Sequence, residues 1–135
     1  MNKLKLLLLS SCFTAFSSQA VTVIVHPSNA DALDKKAVKK IFLGKTKKFP
    51  NGDEAIPIDL KSGQLRGDFL KAVVGKSESQ FKAYWSKLVF TGKGQAPRSV
   101  DSEAEIVDLI SKNPNLIGYV SDGAVNDSVK SVGQF

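Results

Sequence analysis

The run Val21-Thr22-Val23-Ile24-Val25-His26 constrains this chain more than any other segment. It is rich in β-branched residues and nearly continuous in its apolar character, so it reads as a buried strand rather than an alternating, half-wet one. Pro27 to Asp31 breaks it as a loop. Beyond that loop the pattern is helical, then extended, then helical again. Such interleaving predicts a layered α/β domain with a mixed sheet flanked by helices.

The first helix starts near Asp34, a good N-cap, with Val38, Ile41 and Phe42 as its apolar stripe and Gly44 as its stop. Thr46 to Glu54 is a polar connection with an Asn51-Gly52 turn. Ile56 to Leu60 is a short strand, and Pro57 puts it at a sheet edge or marks a strand start. After the Lys61-Ser62-Gly63 turn a helix faces Leu65, Phe69, Leu70 and Val73 inward and ends at Gly75. Ser77-Glu78-Ser79-Gln80 is a capping box, opening a helix with the stripe Phe81, Tyr84, Trp85 and Leu88. Thr91 to Arg98 reads as a glycine-rich loop. Ser102-Glu103-Ala104-Glu105 is a second capping box, opening a helix with Ile106, Val107 and Ile110 inward, which Asn113-Pro114-Asn115 ends. Ile117 to Val120 and Val129 to Val132 are two further strands. There is no internal repeat and no low-complexity tract.

Residues 1–20 have the layout of a secretory signal peptide: Lys3 and Lys5, an apolar run from Leu6, and the small-residue site Ser18-Gln19-Ala20. Cleavage after Ala20 leaves residues 21–135 as one exported domain in the periplasm, with no membrane span. Leu9-Ser10-Ser11-Cys12 offers the alternative of a lipoprotein anchored at Cys12. Cys12 is the sole cysteine. The mature chain therefore has no disulfide, thiolate metal site or thiol nucleophile, and must be held by its core. The formal charge of +6 falls to +4 without Lys3 and Lys5, which suits an anionic ligand or surface. The extracytoplasmic address and the scarcity of arginine argue against nucleic acid.

Catalysis finds little support. The one histidine, His26, sits at a strand end with no cysteine or second histidine near it, and there is no G-x-S-x-G turn. A backbone hydrogen bond is its expected lot. Gly44-Lys45-Thr46 imitates the end of a P-loop, but Lys39 occupies the place of the first glycine and a helix, not a strand, precedes it. No cofactor or metal is implied. Seven lysines, Lys35, Lys36, Lys39, Lys40, Lys45, Lys47 and Lys48, fall within a short stretch; they read as a solvated face, with a lure for anions or a docking patch as the functional alternative. Ser62-Gly63-Gln64-Leu65-Arg66 is the candidate ligand segment. A strand there runs into a turn that opens a helix, where free backbone N–H groups, a hydroxyl and a basic residue suit an oxyanion. The plain alternative is that Ser62 caps the helix.

Ile41-Phe42-Leu43-Gly44-Lys45-Thr46-Lys47-Lys48-Phe49, the strand into Ser62-Gly63, Gly75-Lys76-Ser77, Tyr84-Trp85, Phe90-Thr91-Gly92-Lys93-Gly94 and Pro114-Asn115-Leu116-Ile117-Gly118-Tyr119-Val120 stand in order along the chain. Together they resemble segments of the substrate-binding proteins of phosphate ABC transporters, over Val21 to about Val132. The resemblance implies a type II periplasmic-binding-protein fold, of which this chain supplies a single lobe, the second. It implies a ligand site at Ser62 and Gly63, with Gln64 where the family has threonine and Ile58 where it has arginine. Arg66 or Arg98 is left to supply the missing positive charge. The resemblance implies a solute-binding module for phosphate or a similar oxyanion, serving uptake or sensing. The alternative is an envelope adaptor that kept the lobe and lost the ligand, docking a permease, porin or sensor kinase. The sequence leaves open the oligomeric state and whether a partner or a second copy completes the site.

Overall fold

The computed structural model describes residues 20–29 and 32–135, so the expected signal peptide and Cys12 lie outside the described residues, Ala20 excepted. The elements are β1 (Val21–Val25), α1 (Lys35–Phe42), β2 (Ile56–Leu60), α2 (Gln64–Phe69) continuing as a π-helical turn (Leu70–Val74), α3 (Glu78–Phe90), β3 (Arg98–Val100), α4 (Glu103–Lys112), β4 (Leu116–Ser121), a 3-10 turn (Asp122–Ala124) and β5 (Lys130–Gln134). The five strands form one sheet in the order β3-β2-β4-β1-β5. β2 runs parallel to β3 and β4, whereas β1 is antiparallel to β4 and β5. The sheet is mixed, as the interleaved pattern predicts.

Adjacent residues of β4 show what covers each face. Tyr119 stacks on Phe69 of α2 and lies near Phe42 of α1. Gly118 points to the opposite face, where an added Cβ would come within 2.7 Å of Ile106 and 3.1 Å of Ile110 on α4. Helices α1 and α2 thus cover one face and α4 the other. All five residues of β1 are buried as a result, which accounts for its nearly continuous apolar run. Pro57 sits near the start of β2, before the segment Ile58–Leu60 that pairs with β3, so its missing N–H removes no bond from that ladder.

The helix signals are local and most of them hold. Asp34 accepts the Ala37 N–H at 2.7 Å, and Val38, Ile41 and Phe42 are buried. Ser77 and Gln80 form both bonds of the capping box. At α4 only half of the expected box forms: Ser102 accepts the Glu105 N–H at 3.2 Å, while the Glu105 carboxylate accepts from Asp101 N–H instead. The glycine-rich loop is shorter than the sequence suggests. Arg98 opens β3, a three-residue edge strand whose exposed Arg98 and Ser99 carry no strand pattern.

Two aromatic side chains of α3 close the C-terminus of α1, where backbone carbonyls lack helical partners. Trp85 Nε1 donates to the Phe42 carbonyl at 3.2 Å and the Tyr84 hydroxyl donates to the Leu43 carbonyl at 2.6 Å. Gly44 then turns the chain with φ +68°, and a Cβ there would lie 2.7 Å from the Trp85 ring. Gly44→Ala is expected to cost about 2 kcal/mol or more, since the left-handed backbone alone costs ~1–2 kcal/mol for a residue with a Cβ. An unchanged urea midpoint would show that the Trp85 ring gives way without loss.

Candidate functional site

Strands β2, β3 and β4 are parallel and end together at one end of the sheet. In open α/β sheets, ligands bind beyond the carboxyl ends of such strands. The Lys61-Ser62-Gly63 turn lies there. Gly63, with φ +108°, is the N-cap of α2 and no side chain caps the helix. Ser62 is therefore not the cap, and its hydroxyl is exposed to solvent. The first helical bond runs from Gly67 N–H to the Gly63 carbonyl at 3.4 Å, which leaves the N–H groups of Gln64, Leu65 and Arg66 without helical acceptors. Gly63 and Gln64 are exposed too.

Arg66 points from the first turn of α2 back toward β2. Its Nε donates to Asp59 Oδ2 at 3.2 Å and its Nη1 to Glu78 Oε1 at 3.1 Å, and the guanidinium lies 5.7 Å from the centre of the Phe81 ring. Asp59 is only 2% exposed. It accepts the Tyr119 hydroxyl, whose oxygen accepts the Leu60 N–H at 3.1 Å. Burial pushes the Asp59 carboxyl above its ordinary value, against the pull of Tyr119 and Arg66. Burial and the Asp59 charge push the Tyr119 phenol up, so it stays a donor. For Arg66, burial works against the charge, but Asp59 and Glu78 outweigh it and hold the guanidinium above its ordinary value. The result is a chain of four polar side chains, Tyr119, Asp59, Arg66 and Glu78, running from the core to the surface.

This chain borders a groove of about 850 Å³ between α2, α3 and the segment before β3. Ser62, Arg66, Lys61 and Lys82 line its polar side; Phe81, Trp85, Val89, Phe90 and Pro97 line its apolar side. Val89 and Phe90, 51% and 93% exposed, are the large exposed apolar residues among those described. Lys61 pairs with Asp101 at 3.1 Å. Lys82 is thus the lining cation without an ion pair among the described residues.

Of the five residues of the candidate segment, Ser62 and Arg66 line the groove, while Gly63, Gln64 and Leu65 do not. The Arg66 charge is shared by two carboxylates before any ligand arrives. Arg98 lies at the start of β3 and lines a different cavity with Lys47, Glu54 and Lys93. Ile58 is fully buried, so that position presents nothing to a ligand. His26 directly follows β1, with Nδ1 accepting the Ser28 N–H at 3.1 Å, and the Ser28 hydroxyl lies 2.7 Å away. Among the described residues, no group of histidine, cysteine and acidic side chains is arranged to hold a metal ion.

No protein-family model and no curated protein matches the sequence. Solved structures do match the fold. An ABC-type phosphate transport receptor from Vibrio cholerae superposes with a TM-score of 0.64 at 14% identity, over 84% of this chain and 45% of its own. A phosphate ABC transporter substrate-binding protein from Clostridium perfringens, with bound phosphate, gives 0.66 at 22% identity over 84% and 44%. PstS from Borrelia burgdorferi gives 0.58 at 19% over 84% and 46%. This chain has the fold of one lobe of such receptors. It spans less than half the length of each of these three, and the lobe covers nearly all of what is described here.

Asp59 and Tyr119, the buried centre of the site, are not among the residues that the sequence patterns single out as ligand-binding. A signal was available: Asp59 is an acid inside the otherwise apolar strand Ile56-Pro57-Ile58-Asp59-Leu60, and such an acid must find a cationic or hydroxyl partner once buried.

Proposed function

We propose that this chain is an exported binding module for phosphate or a similar oxyanion, serving uptake or sensing in the periplasm, and not an enzyme. One observation carries the proposal: a free hydroxyl and three helix-start N–H groups stand at the carboxyl end of the parallel strands, in a lobe whose fold is shared with a receptor holding phosphate. A tetrahedral anion there accepts from Ser62 and the backbone of Gln64 and Leu65, with Lys82 as the cation lining the groove that has no ion pair among the described residues. Among the described residues no helix is long and apolar enough to cross a membrane.

A second reading rests on the charge balance and the apolar rim. Arg66 and Lys61 are already paired with carboxylates, and Phe90 stands almost fully exposed beside the groove. This lobe is therefore suited to meeting a partner domain or a second copy across the groove. An anion held from one side keeps half its hydration, so such a partner would tighten binding.

Calorimetric titration of the protein with phosphate, with sulfate as control, tests the first reading. Saturable phosphate binding that Ser62→Ala weakens about tenfold is expected, the loss of one hydrogen bond to a charged group being worth ~1.5–3 kcal/mol. Heat that Ser62→Ala leaves unchanged would move the ligand elsewhere. No heat at millimolar phosphate would leave the adaptor reading as the better one.

A further inference from the structure

The seven lysines between residues 35 and 48 are exposed, and none forms an ion pair among the described residues. The acids beside them in the chain form no ion pair with them: Asp34 is bound to the Ala37 N–H as the cap of α1, and Glu54 faces Lys48 across an isolated antiparallel backbone bridge. Over residues 21–135 these lysines carry the whole positive balance. From Val21 onward the rest has ten lysines and arginines against thirteen acids, so the excess positive charge is concentrated in this one segment of the chain.

The basic side also has shape. Lys36 and Lys40, one turn apart on α1, and Lys48 from the loop after it surround a cleft of about 430 Å³ whose walls include Leu33, Ala37, Phe49 and Pro50. Asp34 also lines the cleft, its carboxylate bound to the Ala37 N–H; three cations against that one acid, over an apolar floor, match a ligand with an anionic head and an apolar body. The composition of the face argues against a protein partner. It has no arginine, and interfaces between proteins are depleted in lysine and anchored by aromatic residues and arginine. Lysine is a mobile point charge, suited to a diffuse anionic surface rather than one fixed carboxylate.

We propose that this face docks the protein on an anionic phospholipid bilayer, with Lys36, Lys40 and Lys48 receiving a lipid phosphate and the cleft floor receiving the glycerol and first methylenes. The docking is electrostatic and peripheral. It is independent of the ligand site, because the groove beside Ser62 is lined by none of these residues.

The test is co-sedimentation of the protein recovered from the cell envelope with phosphatidylcholine vesicles, with and without phosphatidylglycerol, at low and high salt. Binding to the anionic vesicles is expected, and added salt should release it. Each lysine at such a surface is worth about fivefold in partitioning, so Lys36→Gln/Lys40→Gln/Lys48→Gln should lower it roughly a hundredfold. The matching arginine triple should retain binding. Lys87→Gln/Lys93→Gln/Lys112→Gln, which removes the same charge elsewhere, should lower it far less. Equal urea midpoints show that the variants remain folded. The proposal is overturned by failure to bind anionic vesicles, by binding that the cleft triple leaves unchanged, or by equal losses in the two glutamine triples. In the last case net charge alone would be responsible.

Discussion

Arg66→Met is expected to destabilise the protein by about 3 kcal/mol at neutral pH, the usual cost of leaving one member of a buried ion pair without its partner. The side chains of Asp59 and Arg66 are 3% and 15% exposed, so little water reaches the carboxylate that methionine abandons. The Glu78 end of the network is half exposed and contributes little of the loss. Methionine keeps the apolar length of the arginine stem and removes the guanidinium, its 5.7 Å approach to the Phe81 ring included. The deficit should depend on pH. Asp59 already has a folded-state pKa above its ordinary value of 3.8. The folded chain thus holds a proton that the unfolded chain has released, and stability falls as pH rises from 3.8 toward the raised value. Removing Arg66 raises that value further. Below 3.8 the carboxyl is neutral in both states, so most of the deficit should vanish there. Urea unfolding of the two proteins across this range measures it. A deficit that does not shrink on acidification would mean that packing, not the Asp59 charge, is responsible.

That network marks the boundary of what is legible in the sequence. Features settled by neighbours along the chain could be read: Asp34 three residues before the N–H it caps, Gly44 in a left-handed turn after α1, the Ser77–Gln80 box, and β1 with its nearly continuous apolar run. Features settled across the fold could not. β3 is a strand only because Arg98 to Val100 lie along Ile58 to Leu60, and nothing in Arg-Ser-Val demands it. The passage from α2 into a π-helical turn at Leu70 has no local cause that we can name. At Ser102 the spacing for a box is present, yet the Glu105 carboxylate takes the Asp101 N–H, a choice of geometry rather than of composition.

The same division runs through the site. The turn at Ser62 and Gly63 was placed by its own residues, and its exposed hydroxyl results from a glycine occupying the N-cap. The role of Arg66 was not readable, since its partners lie seven residues before it and twelve after it, and the tyrosine that completes the network lies on β4, sixty residues from Asp59. A sequence reading counts Arg66 as free positive charge. The fold commits that charge to a carboxylate buried beneath the groove and to Glu78 at its rim.

Phe69→Ala is expected to cost about 3–5 kcal/mol, the range for deleting a buried aromatic ring. Against a total stability of about 5–15 kcal/mol for a domain of ordinary size, that loss leaves the fold marginal. Phe69 is fully buried. Its ring stacks on Tyr119 with centroids 3.9 Å apart and planes 9° apart, and it meets Phe42 edge-on at 4.7 Å. It therefore joins α2 to both the sheet and α1. Beyond the cavity, the substitution removes the surface that holds the Tyr119 ring flat, and the Tyr119 hydroxyl serves both Asp59 and the Leu60 N–H. The core and the polar network should be coupled for this reason. A double-mutant cycle of Phe69→Ala with Tyr119→Phe should give a coupling of at least ~0.5 kcal/mol, the threshold that separates contacting from independent sites. If Phe69→Ala prevents folding, Phe69→Leu in the same cycle retains enough volume to be measured. Additive losses would show that Tyr119 is oriented by its hydrogen bonds alone, and that the aromatic stack supports the site only by filling space.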